Sequence, residues 1–387
     1  MKSNKLTIII PHLSHGGAEK VTYNLIKNIL FLDDQKNIDI ELLLLKQKDS
    51  IIEQDTKQKI ASIADNIKVK YLPFTKISLC LPYLLRYLYL NRDRKYLCVS
   101  NHVNLIILIC NFLLFRVCDI YITIHDNFKN EVVINPSKIN KLIDYLIGVL
   151  YPKAAKIICV SEGIVEIMRT KYNISSDNLV RIYNPVLDED CLNNSSKNKI
   201  SHLHKWLDYP RNYPVFLSVG SLREQKNFEL LIKSFSIVNQ QIPDSRLIIL
   251  GEGPLRNVLE SLICKLRLVE NVDLVGFSTR VSDFMRLADV YVLSSKTEAL
   301  PTVLIEALSE KMKIVSVDCE VGPREILKNG YFGLLVDNNS PRSLADGMLS
   351  SLSTNLQYND AELSSYLNAF SNVTATKKYL QVLNMKV

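Results

Sequence analysis

The chain has 387 residues, 47% of them hydrophobic, with only 12 glycines and 13 prolines. That composition excludes a disordered or fibrous protein, and the length suits two domains of roughly two hundred residues each or somewhat less. A formal net charge of +7 is modest. With no zinc-finger, helix-turn-helix or RNA-recognition pattern beside it, it argues against a nucleic-acid partner.

The N-terminus carries Lys2 and Lys5 before an apolar run that breaks at Pro11-His12. No small-residue cleavage site follows, so this run reads as a first strand and not as a signal peptide. Short apolar runs then recur at 38–45, 67–72, 96–100, 120–125, 155–160 and 179–182, each the length of a buried strand. Between them, 18–30, 139–150 and 163–172 repeat apolar residues at helical spacing. The longest apolar stretch, 103–115, contains Asn104 and Asn111 and is too short to span a bilayer, so it reads as a helix of a soluble protein. Asn184-Pro185 opens a polar stretch without periodicity, and the alternation restarts at Pro214 with strands expected at 215–219, 247–250, 272–275, 290–293, 314–317 and 333–336. Strands separated by helices mean βαβ units and parallel sheets. The expected fold is therefore α/β, with two Rossmann-like doubly wound domains facing each other across a cleft at their strand ends. The expected boundaries are a first domain over 1–190, a connection over 191–212, a second domain over 213–370, and a terminal helix over 371–387 packing back toward the first. The eight cysteines show no CxxC pair and no metal-ligand spacing, and most sit in apolar runs. They read as buried reduced thiols, which implies a cytoplasmic protein.

Two loops carry candidate chemistry. Gly16-Gly17, between the first strand and the first helix, lets the backbone approach a ligand at a helix N-terminus. The third glycine and the acidic residue of a dinucleotide fingerprint are missing, which disfavours NAD. Glu298 and Glu306 form an E-x7-E spacing that bridges a strand end and a helix expected to begin near Thr302, with Pro301 in its first turn. Carboxylates so placed suit vicinal sugar hydroxyls, whereas the bland alternative is a solvated helix with capping acids. Asp188-Glu189-Asp190 has the look of a DxD metal motif, but no strand leads into it, and solvated acids are the preferred reading.

Further motifs fall at successive strand ends of the second half: Val219-Gly220-Ser221-Leu222-Arg223-Glu224-Gln225-Lys226-Asn227, Leu250-Gly251-Glu252-Gly253-Pro254, Val275-Gly276-Phe277, Ser294-Ser295-Lys296-Thr297-Glu298 and Val321-Gly322-Pro323-Arg324-Glu325. As a set they resemble the family 4 retaining glycosyltransferases of the GT-B fold. The Gly-Gly loop, His125-Asp126 and Val160-Ser161-Glu162 extend the likeness into the first half. The resemblance implies that the first domain binds the acceptor and the second the nucleotide-sugar. It implies that Glu306 holds the donor ribose and that Gly276-Phe277 meets the base through backbone groups. Lys226 neutralises the diphosphate, with Gly16, Gly17 and the helix start at Thr302 assisting and Leu300 and Pro301 beside them. Glu298 contacts the transferred sugar, and His125 lies near sugar and acceptor. Where many relatives carry an arginine, this chain has Ser221, with Arg223 as a substitute two positions on. A glycine usual after the first glutamate is Ala299.

The same resemblance implies metal-independent transfer, with no cofactor, of a hexose or N-acetylhexosamine. The donor is a nucleotide-sugar, UDP preferred over GDP, and the acceptor a polyprenyl-diphosphate-linked saccharide in O-antigen or capsule synthesis. The alternative is a non-catalytic nucleotide-sugar-binding partner of another transferase. Lys68–Lys95 holds seven basic residues against one acidic. Leu81, Leu84, Leu85 and Leu88 are expected to form an apolar stripe there, leaving Tyr83, Arg86, Tyr87, Arg92, Arg94 and Lys95 as a surface for the anionic inner face of the cell membrane.

Overall fold

A computed structural model describes residues 4–13, 17–45, 60–63, 65–72, 80–127, 138–188, 203–337, 340–354 and 358–386. The chain divides into two compact units, one of Met1–Val186 with Ala369–Val387 and one of Leu187–Asn368.

In the first unit, seven strands form one parallel sheet: β1 Lys5–Ile10, β2 Asp39–Leu44, β3 Lys68–Tyr71, β4 Lys95–Val99, β5 Asp119–Ile124, β6 Lys156–Cys159 and β7 Leu179–Arg181. Their order is β3-β2-β1-β4-β5-β6-β7, so the direction of winding reverses between β1 and β4. The inner strands are mostly apolar and buried because helices cover both faces of a parallel sheet, whereas the edge strand β3 is largely exposed. Those helices are α1 Gly17–Leu32, α2 Leu81–Leu90, α3 Asn101–Leu113, α4 Lys138–Leu150 and α5 Glu162–Tyr172. Ser161 caps α5 through its side chain, and Asn173 ends it in the left-handed conformation.

The second unit repeats the plan with six parallel strands: β8 Val215–Val219, β9 Arg246–Leu250, β10 Val272–Gly276, β11 Val290–Leu293, β12 Lys313–Val317 and β13 Leu334–Val336. Their order, β10-β9-β8-β11-β12-β13, reverses between β8 and β11. Its helices are α6 Phe228–Gln241, α7 Arg256–Lys265, α8 Val281–Leu287, α9 Thr302–Ser309, α10 Pro323–Ile326, α11 Pro341–Ser353 and α12 Asp360–Leu367. Residues 203–212 belong to this unit, where Arg211 forks onto Asp289 at 2.7 and 3.2 Å.

The chain then returns to the first unit as α13 Asn372–Val382, capped by Ser371. Ala375, Tyr379, Leu380 and Leu383 enter the first unit's core beside Leu25, Ile26 and Ile29 of α1. Burial of each large apolar side chain contributes about 2 kcal/mol, which suffices to hold a terminal helix in place. Lys95 completes the attachment by donating to the carbonyls of Leu383 and Asn384 at 2.6 and 2.9 Å. A cation thus meets the bare carbonyls at a helix C-terminus.

This arrangement corrects part of the expected basic surface. Arg94 and Lys95 are buried. Arg94 donates to Asp39 Oδ2 at 2.6 Å, Thr7 Oγ1 at 2.7 Å and the carbonyl of Leu6 at 2.8 Å. The helix stops at Leu90, so these two cations lie in the turn and first residue of β4, where unpaired main-chain oxygens and Asp39 draw them inward. Tyr87 also turns inward, to the buried carboxylate of Glu41. Leu84 and Leu88 are buried, while Tyr83, Arg86, Tyr89 and Arg92 remain exposed. The seven described cysteines are free thiols, six buried and Cys264 exposed. Among the described residues no helix is long and apolar enough to cross a membrane.

Candidate functional site

In an open parallel sheet, the loops that leave two strands at a reversal of winding diverge and open a crevice. In the second unit those loops follow β8 and β11. The first turns through a single 3-10 turn, Glu224–Lys226, and enters α6 after Asn227 in the left-handed conformation. The second runs through Ser294–Pro301 into α9, which starts at Thr302. Three bonds fasten the two loops together. Ser294 Oγ donates to the Lys226 carbonyl at 2.9 Å, the Lys296 amide to the Gln225 carbonyl at 2.8 Å, and Gln225 Nε2 to the Thr297 carbonyl at 3.0 Å.

The result is an ion pair across the crevice, Lys226 Nζ to Glu298 Oε1 at 2.6 Å, with side chains 20% and 8% exposed. Gly220 gives Lys226 its course. A Cβ there would stand 3.2–3.4 Å from Cγ, Cδ and Cε of the lysine stem, which therefore lies along bare backbone. The neighbouring strand ends stack through glycines in the same way. Gly220 donates its amide to the Leu250 carbonyl, and Gly251 donates to the Gly276 carbonyl. Gly251, at φ +143°, has the carbonyl oxygen of Gly220 where its Cβ would be. Gly276, at φ +94°, faces the Glu252 carboxylate, which Arg256 holds at 2.9 Å. Only glycine combines such backbone angles with such contacts.

On the other side of Glu298, Gly322 at φ +97° lets the Ala299–Pro301 segment pass, since a Cβ there would lie 2.5 Å from Pro301 Cδ. Two residues not foreseen from the sequence line the underside. Tyr291 is fully buried, and burial, with Glu298 and Glu306 adding to it, pushes its hydroxyl far above the ordinary range. Cys319 is buried beside Glu298, and its thiol is raised to about 12, chiefly by desolvation. A signal existed for neither, because each reads as one more core residue in an apolar strand or at its end.

The remaining second-unit candidates fall around this pair. Leu300 and Pro301 are buried, while Thr302 and Glu306 are partly exposed along α9. Phe277 is exposed beyond Gly276. Arg223 is exposed, with no ion-pair partner among the described residues, and Ser221 beside it is exposed as well.

In the first unit, Gly17 opens α1, is exposed, and has open space where a Cβ would stand. Gly16 lies outside the described residues, as do Glu189 and Asp190. His12 braces the β1 loop with Nδ1 3.2 Å from Glu19 Oε1. His125 follows β5. Its Nε2 lies 3.0 Å from Thr123 Oγ1, and that hydroxyl donates to the Cys98 carbonyl at 3.1 Å. A hydroxyl has one proton, so Thr123 must accept from His125 Nε2–H, leaving Nδ1 with a lone pair. Nδ1 is buried and has no partner among the described residues. Although the residue is partly exposed, burial of the ring lowers its pKa to about 4, and the imidazole is neutral near pH 7. Asn101 Nδ2 holds Asp126 at 3.4 Å, and Asn104 Nδ2 donates to the Thr123 carbonyl at 2.9 Å.

Comparison with known proteins bears on both halves. Residues 15–189 match the family model described as Glycosyltransferase Family 4, and residues 202–366 match Glycosyl transferases group 1. The chain is 29% identical over 352 residues to the N-acetylgalactosamine-N,N'-diacetylbacillosaminyl-diphospho-undecaprenol 4-alpha-N-acetylgalactosaminyltransferase of Campylobacter jejuni, covering 90% of each protein. It is 46% identical to an uncharacterized glycosyltransferase of Methanocaldococcus jannaschii, over 113 residues that make up 29% of this chain and 28% of that protein. The structure of Anabaena HepE in complex with UDP and glucose superposes with a TM-score of 0.76 at 18% identity, covering 98% of this chain and 99% of that one.

Proposed function

We propose that this chain, which belongs to the group 1 and family 4 glycosyltransferases of the GT-B fold, moves a hexose or N-acetylhexosamine from a UDP-sugar to a lipid-linked saccharide with retention of configuration. The observation that carries this reading is the Lys226–Glu298 pair at the β8/β11 crevice. It sets a cation for a diphosphate beside a carboxylate for sugar hydroxyls. The bond from the anomeric carbon to the phosphate oxygen breaks, its electrons remaining on the diphosphate, which Lys226, Arg223 and the amides at the start of α9 stabilise. An acceptor hydroxyl bonds to the anomeric carbon from the same face and passes its proton to the departing phosphate. Electrostatic stabilisation of that leaving group is the main catalytic contribution, and it requires no metal. Glu306 serves the ribose and Gly276-Phe277 the base. His125, neutral with Nδ1 free to accept, takes a hydroxyl of sugar or acceptor.

The names of the relatives support the two substrates: an undecaprenol-diphosphate-linked acceptor for the Campylobacter enzyme and UDP with glucose for HepE. They favour a cell-surface glycan as the product, built at the cytoplasmic face of the membrane. Tyr83, Arg86, Tyr89 and Arg92 then remain as the basic, aromatic contact with anionic lipid. Arg86→Ser with Arg92→Ser should lessen sedimentation with anionic liposomes at low salt, and an unchanged pellet would remove this surface.

The central test is to offer UDP- and GDP-hexoses with an undecaprenyl-diphosphate-linked saccharide in the presence of EDTA. Release of UDP and an axial product linkage from an axial donor, read by NMR, are expected. Activity abolished by EDTA, or an inverted product, would contradict the mechanism.

A further inference from the structure

The Lys226–Glu298 ion pair unites two groups whose separate partners lie on one donor. The Lys226 stem lies on Gly220 and its carbonyl is held by Ser294, which aims the ammonium at Glu298. Glu298 is buried on a segment wedged between Gly322 and the loop that carries Lys226. No other hydrogen-bond partner of the Lys226 ammonium occurs among the described residues.

A diphosphate that reaches Lys226 therefore enters a site whose cation is already neutralised, and it arrives beside a carboxylate. Like charges a few ångström apart in a partly desolvated site repel each other. A nucleoside diphosphate bears one more ionisable oxygen than the same nucleotide carrying a sugar, so it meets the larger repulsion. It also brings no sugar hydroxyl to donate to the carboxylate that has lost its ammonium. The sugar-bearing donor brings several.

We propose that Glu298 determines selectivity for donor over product: it competes with the diphosphate for Lys226, and only the sugar's hydroxyls compensate it for the loss. The inference rests on the assignment of this crevice to a nucleotide-sugar. Loss of the sugar during transfer then re-forms the internal pair and expels the nucleoside diphosphate. Product release, a slow step in many enzymes, is thereby tied to completion of the chemistry.

The test is calorimetric titration of the parent, Glu298→Gln and Lys226→Gln. The ligands are UDP and whichever of UDP-glucose, UDP-galactose and their N-acetyl forms the parent binds most tightly. Glu298→Gln removes the competing charge, so UDP should bind about tenfold more tightly and the UDP-sugar about tenfold more weakly. UDP affinity that is unchanged or weaker in Glu298→Gln overturns the proposal, because the pair then survives binding. If Lys226→Gln binds UDP like the parent, the nucleotide-site assignment itself fails, whatever Glu298→Gln does. Should Glu298→Gln not fold, Glu298→Asp draws the carboxylate back by one methylene. A rise in UDP affinity of a few fold then supports the proposal, and an unchanged affinity overturns it.

Discussion

The strand ends of the two units present opposite chemistry on nearly the same scaffold. Both sheets are parallel and reverse their winding once. In the second unit the reversal holds full charges, Lys226 and Glu298, on backbone so crowded that glycine is obligatory at Gly251 and Gly322. In the first unit, the loop after β5 holds a neutral histidine bonded to the Thr123 hydroxyl, followed by Asp126, which Asn101 holds at 3.4 Å. Gly17 meets nothing there that would exclude a side chain. Under the function proposed above, the second unit's strand ends would take the diphosphate and the first unit's the hydroxyl groups. A fold repeated twice thus sets where a ligand sits, while the residues at the strand ends set its charge.

The sharpest way to break this comparison is to remove one key group from each face. Lys226→Ala should reduce donor turnover by about a thousandfold and weaken UDP binding by at least about tenfold, as expected for loss of a charged hydrogen bond and of transition-state stabilisation. His125→Ala should slow transfer by about 10- to 100-fold and leave UDP affinity unchanged in titration. Equal losses of UDP affinity in the two variants would mean that the faces do not divide the work by charge.

Glycine substitutions probe the same contrast through stability. Gly251→Ala forces a Cβ onto the Gly220 carbonyl at a backbone angle hostile to alanine, and should cost about 3 kcal/mol or more in urea denaturation. Gly17→Ala should change stability by less than about 1 kcal/mol. Any loss it causes should appear in donor binding. A large stability cost at Gly17 would show that the first unit's loop is as constrained as the second's.

A smaller effect is expected at Glu306. Glu306→Gln should weaken UDP binding by about 1–2 kcal/mol through poorer acceptance of two ribose hydroxyls. Deoxy-UDP should narrow the difference between variant and parent. The same weakening with deoxy-UDP would separate Glu306 from the ribose.

A further effect is a pH dependence of stability. With a folded pKa of about 4 against about 6.5 unfolded, His125 binds protons more readily in the unfolded chain. Its contribution is therefore present above pH 6.5 and is lost as pH falls toward 4, a loss on the order of 1–3 kcal/mol. Urea midpoints of His125→Gln should decline less over this interval than those of the parent. Parallel declines would mean that the ring is not desolvated.

Sequence alone determined the two parallel sheets. Each run expected as a strand, from 6–11 to 333–336, became one within one or two residues, because an inner strand covered on both faces is mostly apolar. It also singled out Lys226, Glu298 and the glycine loops, since chemistry at strand ends needs glycine and charge at recognisable spacing. What it did not determine was partnership. Lys226 and Glu298 are 72 positions apart and became an ion pair only because β8 and β11 lie side by side at the reversal. Arg94 and Lys95, read as surface cations from a short basic stretch, are buried because Asp39 and the end of a helix almost three hundred residues later converge on them. Tyr291 and Cys319 gave no signal, as local composition cannot tell a core residue from one beneath a carboxylate. The lone pair of His125 likewise depends on which atoms surround Thr123. Periodicity reports burial and loop composition reports backbone freedom, and both are local. Charge compensation and tautomer depend on atoms brought together from distant parts of the chain, so only the tertiary structure could decide them.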